Sequence, residues 1–384
     1  MQYRKFRADE LFDGYTLRKT DDTLIADATG KVIEIAAAAD AGEDVETYSG
    51  ILSPGLINCH CHLELSHLKN IIPPHTGLVD FLCSVVSKRG FEQELIQEEI
   101  RKAEQEMFEN GIVAVGDIGN TADTVVVKQS SKLRWHNFVE VLGFSDEKAA
   151  SNLQHYTSVA DELKTHHRTT LTPHAPYSIS PLTFQLINTA TTGKIISVHN
   201  QETAAEDELY KTGSGDFLRF YKIFGLDRSP FPVTGKCSIR SYLPYFNNGQ
   251  TILLIHNTFM CEEDIVWANE YAAANGLTLV YCFCINANLY IENKVPAVAL
   301  FQQQHCNIVL GTDSYSSNWQ LSVTKEIQAL LQHSSIAAEQ ALQMATLNGA
   351  KALQWQNDLG SFEKNKQPGI VLLEKDFSSS KRLL

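Results

Sequence analysis

Eight short apolar runs constrain this chain more than any other feature. They read ILSPGLINCH (51–60), GIVAVGDIG (111–119), HNFVEVLGF (136–144), TLTPHAP (170–176), KIISVHNQE (194–202), TILLIHNTF (251–259), LTLVYCFC (277–284) and NIVLGTDSY (307–315). Each has the length of a strand buried on both faces. Several are followed by segments with helical spacing, such as ELIQEEIRKAEQEMFEN and VTKEIQALLQHSSIAAEQALQMATLNGAKALQ. Strands alternating with helices in this way predict a parallel sheet. Eight of them over about 300 residues predict an α/β chain built as a (β/α)8 TIM barrel. A doubly wound open sheet competes, but no glycine-rich phosphate fingerprint follows any run. Before the runs, TLIADATGKVIEI alternates apolar and polar residues around a Gly-Lys turn and predicts a hairpin; after them, PGIVLLE (368–374) reads as a further strand. The stretch 203–250 is long and irregular and reads as an excursion over one end of the barrel.

Charge narrows the partners. The 384 residues carry a formal net charge of −13, a poor match for phosphate backbones or anionic membranes, so neither nucleic acid nor membrane is expected. A small-molecule substrate, neutral or cationic, fits better, and a homo-oligomer is compatible with the composition. No apolar run approaches the ~18 residues of a membrane span. The first residues, MQYRKFRADELFDGYTLRKT, lack the apolar core of a secretory signal. The eight cysteines therefore read as reduced thiols of a cytoplasmic protein.

Polar residues collect at the C-terminal ends of the runs: His60 and His62 on the first, His174 on the fourth, His199 and Glu202 on the fifth, His256 on the sixth and Asp313 on the eighth. In a barrel those ends share one face, where residues distant in sequence converge. The first run ends Cys59-His60-Cys61-His62, four potential zinc ligands in succession. On a strand, residues two apart share a face. His60 and His62 are expected to point inward together, with Cys59 and Cys61 packing outward as small apolar residues. A thiolate site from Cys59, Cys61, Cys282 and Cys284 is disfavoured, because two strands rarely arrange four thiolates tetrahedrally. His75, His155, His166, His167, His305 and His333 lie away from run ends and read as surface residues.

At these residues the sequence resembles the amidohydrolase superfamily, in its deaminase and chlorohydrolase branch. SPGLINCHCHLE resembles the first-strand HxH signature, HNQETAAE (199–206) the H-x-x-E-T-x-x-E motif, GTDS (311–314) the eighth-strand metal aspartate, and MATLNGAKAL the helix that follows. HLELS with TGLVDFLCSVVSKR is similar to the aminodeoxyfutalosine deaminases. One departure is that relatives often carry Cys-Pro-x-Ser-Asn at the seventh strand, where this chain has Cys284-Ile285-Asn286-Ala287-Asn288.

The resemblance implies a barrel over 54–355 and a small β-sandwich from 1–53 plus 356–384. It implies one divalent metal, Zn²⁺ or Fe²⁺, on His60, His62, His199 and Asp313, a set of nitrogens and oxygen suited to either ion. A second ion is not expected, since the fourth run lacks the lysine that bridges two metals in binuclear relatives. Asp313 would take a proton from water, His256 would orient that water, and Glu202 would protonate a ring nitrogen and then serve the leaving amine. His174, Glu64 and Asn288 would contact substrate. Glu202 also admits a plainer reading as a helix-start residue, because Thr203 and Glu206 follow in capping-box spacing. The implied function is a metal-dependent aminohydrolase acting on the exocyclic amine of an N-heterocycle, such as the adenine nucleoside aminodeoxyfutalosine. The rivals are hydrolysis of a cyclic amide, urea or carbon–halogen bond, and a non-catalytic scaffold.

Overall fold

The computed structural model describes residues 3–19, 21–165 and 167–384. All eight apolar runs form parallel strands, in two sheets of four. One sheet is β6 (Leu56–Cys61), β7 (Ile112–Gly119), β8 (Arg134–Val141) and β9 (Arg168–Pro173), in that order. The other is β10 (Ile195–Asn200), β11 (Thr251–His256), β12 (Thr278–Phe283) and β13 (Ile308–Leu310). Their residues are buried almost throughout, as expected where helices cover a parallel sheet and Val, Ile and Leu fill both faces.

Backbone hydrogen bonds link the two sheets at both edges. Beyond β9, the His174 carbonyl accepts from the His199 amide of β10 at 3.0 Å. At the other edge the His60 carbonyl of β6 accepts from the amides of Thr312 and Asp313, just past β13, at 2.9 and 3.0 Å. The strand order thus runs in sequence from β6 to β13, with every C-terminal end on one face.

The flanking segments build a third sheet. β1 (Tyr3–Phe12), β2 (Leu17–Lys19), β3 (Thr23–Asp27), β4 (Val32–Ala36) and β5 (Val45–Pro54) join β14 (Ile370–Leu373) and β15 (Ser380–Arg382) in the order β15-β14-β5-β1-β3-β4, with β2 beside β1. The expected hairpin is β3–β4 and the expected far strand is β14. The first apolar run serves two sheets, because β5 ends and β6 begins within it. Gly55 allows that turn: a side chain there would collide with the Val113 side chain and the Pro368 carbonyl.

The 203–250 stretch is more regular than expected. It contains the helices Ala204–Thr212, Phe217–Ile223 and Ser238–Tyr242. No described helix is long and apolar enough to cross a membrane. Of the histidines read as surface residues, His75, His155, His305 and His333 are exposed and His167 is half-buried against the Lys128 carbonyl. His166 lies outside the described residues.

Candidate active site

The C-terminal ends of β6 and β10 bring three imidazoles together with Asp313. His62 Nε2 lies 3.3 Å from His199 Nε2. Asp313 Oδ1 lies 3.5 Å from His60 Nε2 and 3.6 Å from His62 Nε2. The backbone is strained to aim these groups. Asp313 and His256 adopt φ of 58° and 70°, in the left-handed region that ordinary side chains avoid. Gly311 meets a different constraint, since a Cβ there would lie 2.7 Å from His60 Cβ and 2.9 Å from Cys282 Sγ. The glycine of GTDS lets the segment just past β13 pack against His60 of β6.

The cysteines of the first run behave as packing residues. Cys59 is fully buried and faces Gly349, on the helix Leu347–Ala352. Cys61 is fully buried within the main apolar core. Burial pushes both thiols well above their ordinary pKa, which keeps them neutral and unreactive.

Hydrogen bonds fix the tautomers. His199 Nδ1 donates to the His174 carbonyl at 2.7 Å, so its Nε2 lone pair faces His62 Nε2. His256 Nδ1 donates to Asn288 Oδ1 at 2.8 Å, and its Nε2 faces Glu202 Oε1 at 3.5 Å. Burial lowers His62 to about 3 and both His174 and His256 to about 4, leaving the rings neutral at physiological pH. Burial also opposes ionisation of Asp313, but the close approach of His60, His62 and His256 outweighs it and holds the carboxyl below its ordinary value. Glu202 goes the other way. Burial, then the charge of Asp313, raises its carboxyl well above the ordinary value.

This cluster fits a divalent cation. His60 is wholly buried, yet neither of its ring nitrogens has a hydrogen-bond partner among the described residues. Imidazoles facing one another beside an ionised carboxylate leave lone pairs that an ion would satisfy. Three nitrogens and one carboxylate oxygen form a set that Zn²⁺ and Fe²⁺ both accept. Glu140, His174 and His199 also approach one another closely, but His199 Nδ1 is already committed to the His174 carbonyl.

Above the cluster lies a cavity of about 210 Å³. His62, His199, Glu202, His256 and Asp313 form its base. One wall is apolar: Leu78, Phe81 and Val85 from the helix Leu78–Lys88 face Phe220 and Phe224 of the excursion. The polar end carries Glu64, Arg89, Asn120, Glu140 and His174. Glu64 Oε2 accepts from the amides of Asn120 and Thr121 and from Thr121 Oγ1, at 3.1, 3.0 and 2.8 Å. His174 and Glu64 thus line the cavity. Asn288, expected against substrate, is not among the lining residues and instead holds His256. The missing proline of the seventh-strand motif alters little, because Ile285 is the first residue of the helix Ile285–Glu292, where proline is tolerated but not required. The capping-box reading of Thr203 is not met, since its side chain makes no cap bond; Glu206 Oε1 instead accepts from the Gln201 amide at 3.0 Å.

Sequence reasoning missed Glu140 and the aromatic wall. Glu140 carried the signal that found His174, a lone polar residue near the end of an apolar run. The wall residues sit on two helices distant in sequence, and neither segment alone encodes how they meet.

Residues 51–382 match the amidohydrolase family model, and the chain belongs to that family. It is 28% identical over 330 residues to an adenosine deaminase of Helicobacter pylori, covering 84% of this chain and 78% of that protein. Its fold is similar to that of the Helicobacter pylori aminofutalosine deaminase crystallised with methylthio-coformycin, with a TM-score of 0.80, 23% identity, and coverage of 99% of this chain and 97% of that one. It is also similar to an adenosine deaminase from Xanthomonas campestris with bound zinc, with a TM-score of 0.72, 20% identity, and coverage of 96% and 84%.

Elemental analysis after gel filtration should find one divalent ion per chain. Cys59→Ala with Cys61→Ala should retain it and His60→Ala should lose it; loss in the cysteine variant would contradict the assignment of faces. A second expectation concerns Glu206, which is wholly buried and whose carboxyl burial raises from 4.5 to about 8. Between those values the folded chain keeps a proton that the unfolded chain has released. Glu206 therefore contributes stability that is fully present below about pH 4.5 and lost as pH rises through about 8. Glu206→Gln should show a shallower fall in Tm across that window than the parent; identical slopes would contradict the account.

Proposed function

We propose that this chain is a metal-dependent aminohydrolase that replaces the exocyclic amine of an adenine nucleoside with oxygen and releases ammonia. The observation that carries the reading is Glu202, a buried carboxyl that burial and the charge of Asp313 raise well above its ordinary value, facing His256 beside the His60, His62, His199 and Asp313 cluster. Water adds next to an exocyclic amine only when the adjacent ring nitrogen gains a proton. A carboxyl whose pKa is raised by burial is suited to donate one.

We assign His60, His62, His199 and Asp313 as ligands of a single ion, Zn²⁺ with Fe²⁺ as the alternative. When bound, that ion supplies Lewis-acid activation of water at neutral pH. Asp313 Oδ2 is held by the Ser317 hydroxyl at 2.7 Å, which leaves Oδ1 to receive a proton from the attacking water. His256 Nε2 orients the water, with Asn288 fixing the ring. Glu202 gives its proton to the ring nitrogen. As the carbon–nitrogen bond breaks, Glu202 relays the proton held by Asp313 to the amine, which leaves as ammonia, and then takes the proton of the added hydroxyl as the ring carbonyl forms, which restores the acid. His174 and Glu64 would meet the rest of the substrate.

The names of relatives, adenosine and aminodeoxyfutalosine deaminases among them, support an adenine ring. Hydrolysis of a cyclic amide, urea or carbon–halogen bond would use the same cluster but gives no comparable task to a protonated Glu202. A non-catalytic scaffold leaves the complete donor set without a purpose. We read the two four-stranded sheets as one closed barrel over 54–355, and 1–53 plus 356–384 as a small β-sandwich beside it. We place the protein in the cytoplasm on its eight free thiols.

Glu202→Gln should keep the ion and lose ~10²–10⁴-fold in turnover, since glutamine preserves shape and removes the proton. The assay is ammonia release with loss of adenine absorbance, run on adenine, adenosine and aminodeoxyfutalosine. Ammonia from guanine or cytosine alone would refute the adenine assignment. Activity only on cyclic amides or ureas would refute the deaminase reading.

A further inference from the structure

Glu326, on the helix Val323–His333, is wholly buried and has no role in the chemistry above. It is not among the residues that line the cavity. Its carboxyl accepts three hydrogen bonds. Oε2 accepts from the Asn286 amide at 3.0 Å, and Oε1 accepts from Asn286 Nδ2 at 2.9 Å and from Asn318 Nδ2 at 3.0 Å. A carboxyl taken out of water is costly unless its oxygens are met in this way. The donors lead in two directions, and each direction ends at a group of the reaction.

One arm reaches His256. Asn286 is the second residue of the helix Ile285–Glu292, whose N-cap, Cys284, makes no side-chain cap bond. The first amides of a helix have no partner within it. Glu326 supplies one from another helix, and negative charge is favourable at that end. Held through both its amide and its side chain, Asn286 fixes the start of the helix in position and rotation. Asn288, two residues on, then presents Oδ1 to His256 Nδ1 at 2.8 Å.

The other arm reaches Asp313. Asn318 Nδ2 carries two hydrogens; one goes to Glu326 and the other to the Thr312 carbonyl at 2.7 Å. Thr312 precedes Asp313, whose φ of 58° persists only where the surroundings impose it. In the same loop the Ser317 hydroxyl holds Asp313 Oδ2 at 2.7 Å. One carboxyl thus joins the support of His256 to the support of Asp313.

We propose that Glu326 is a positioning residue that sets His256 and Asp313 relative to each other, so that the water oriented by the imidazole lies within reach of the oxygen that takes its proton. The role in turnover rests on the deaminase reading above; the placement of His256 can be read without turnover.

The test compares the zinc-loaded parent with Glu326→Gln, which keeps one acceptor oxygen for three donors, and Glu326→Leu, which keeps none. Ile327→Ala is the control: Ile327 is wholly buried in the main apolar core, so truncating it loosens the same helix and leaves the bridge intact. The readouts are kcat and KM for ammonia release from adenosine, bound zinc, and the proton NMR signal of His256 Nδ1, identified by its absence in His256→Gln. Both Glu326 variants should keep the ion and the KM but lose roughly 10- to 100-fold in kcat, with the His256 signal displaced or lost to exchange. Ile327→Ala should keep both kcat and the signal. Asn318→Ala, which cuts only the arm to Asp313, should lower kcat and leave the signal in place. Unchanged kcat and an unmoved signal in the Glu326 variants would overturn the proposal. So would the same changes in Ile327→Ala at a matching loss of Tm, which would mark Glu326 as merely structural. If the Glu326 variants do not fold, Asn318→Ala decides, and unchanged kcat there overturns the proposal. If the parent deaminates no adenine compound, the deaminase reading falls by itself. The His256 signal then decides: displacement in the Glu326 variants alone supports the bridge, and an unmoved signal overturns it.

Discussion

The His60 carbonyl, accepting from the amides of Thr312 and Asp313, is the contact on which the site depends. It joins the first strand of one parallel sheet to the segment just past the last strand of the other. Asn58 reinforces the join, donating through Nδ2 to Thr312 Oγ1 at 2.8 Å and accepting from the Thr312 amide at 3.0 Å. Residues separated by some 250 positions are thereby fixed within hydrogen-bond reach. Without this join Asp313 has no defined distance to His60 and His62, and the donor cluster loses its carboxylate.

Building the cluster works against stability. Imidazoles crowd together, His60 lacks a hydrogen-bond partner among the described residues, Asp313 is ionised in a buried place, and burial raises the carboxyls of Glu202 and Glu140 well above their ordinary values. The left-handed backbones at His256, Asn257 and Asp313 add strain. The surrounding apolar core, continuous from β6 to the helix Ala338–Ala345, offsets these costs. Groups arranged at such cost gather at sites of chemistry, and here they gather at one end of one set of strands.

Much of this was legible in the sequence because strand ends obey simple rules. Parity separated His60 and His62 from Cys59 and Cys61, and the C-terminal-end rule gathered His174, His199, Glu202, His256 and Asp313. What stayed hidden depends on contacts between segments. The seven-stranded sheet needs β5 and β1 to pair in parallel and β14 to join from the far end of the chain. The role of Asn288 depends on the rotamer of His256, and the wall formed by Phe81 and Phe220 depends on how two distant helices meet. The 203–250 excursion looked irregular because its helices are short and separated by Gly- and Pro-containing turns.

The central claim is that three imidazoles and one carboxylate, with no sulfur, hold one ion. X-ray absorption on the zinc-loaded protein reads the scatterers around the metal directly. The account predicts nitrogen and oxygen neighbours at ~2.0–2.2 Å with an imidazole signature. A sulfur shell at ~2.3 Å would show that the cysteines of the first strand bind after all, and would contradict it.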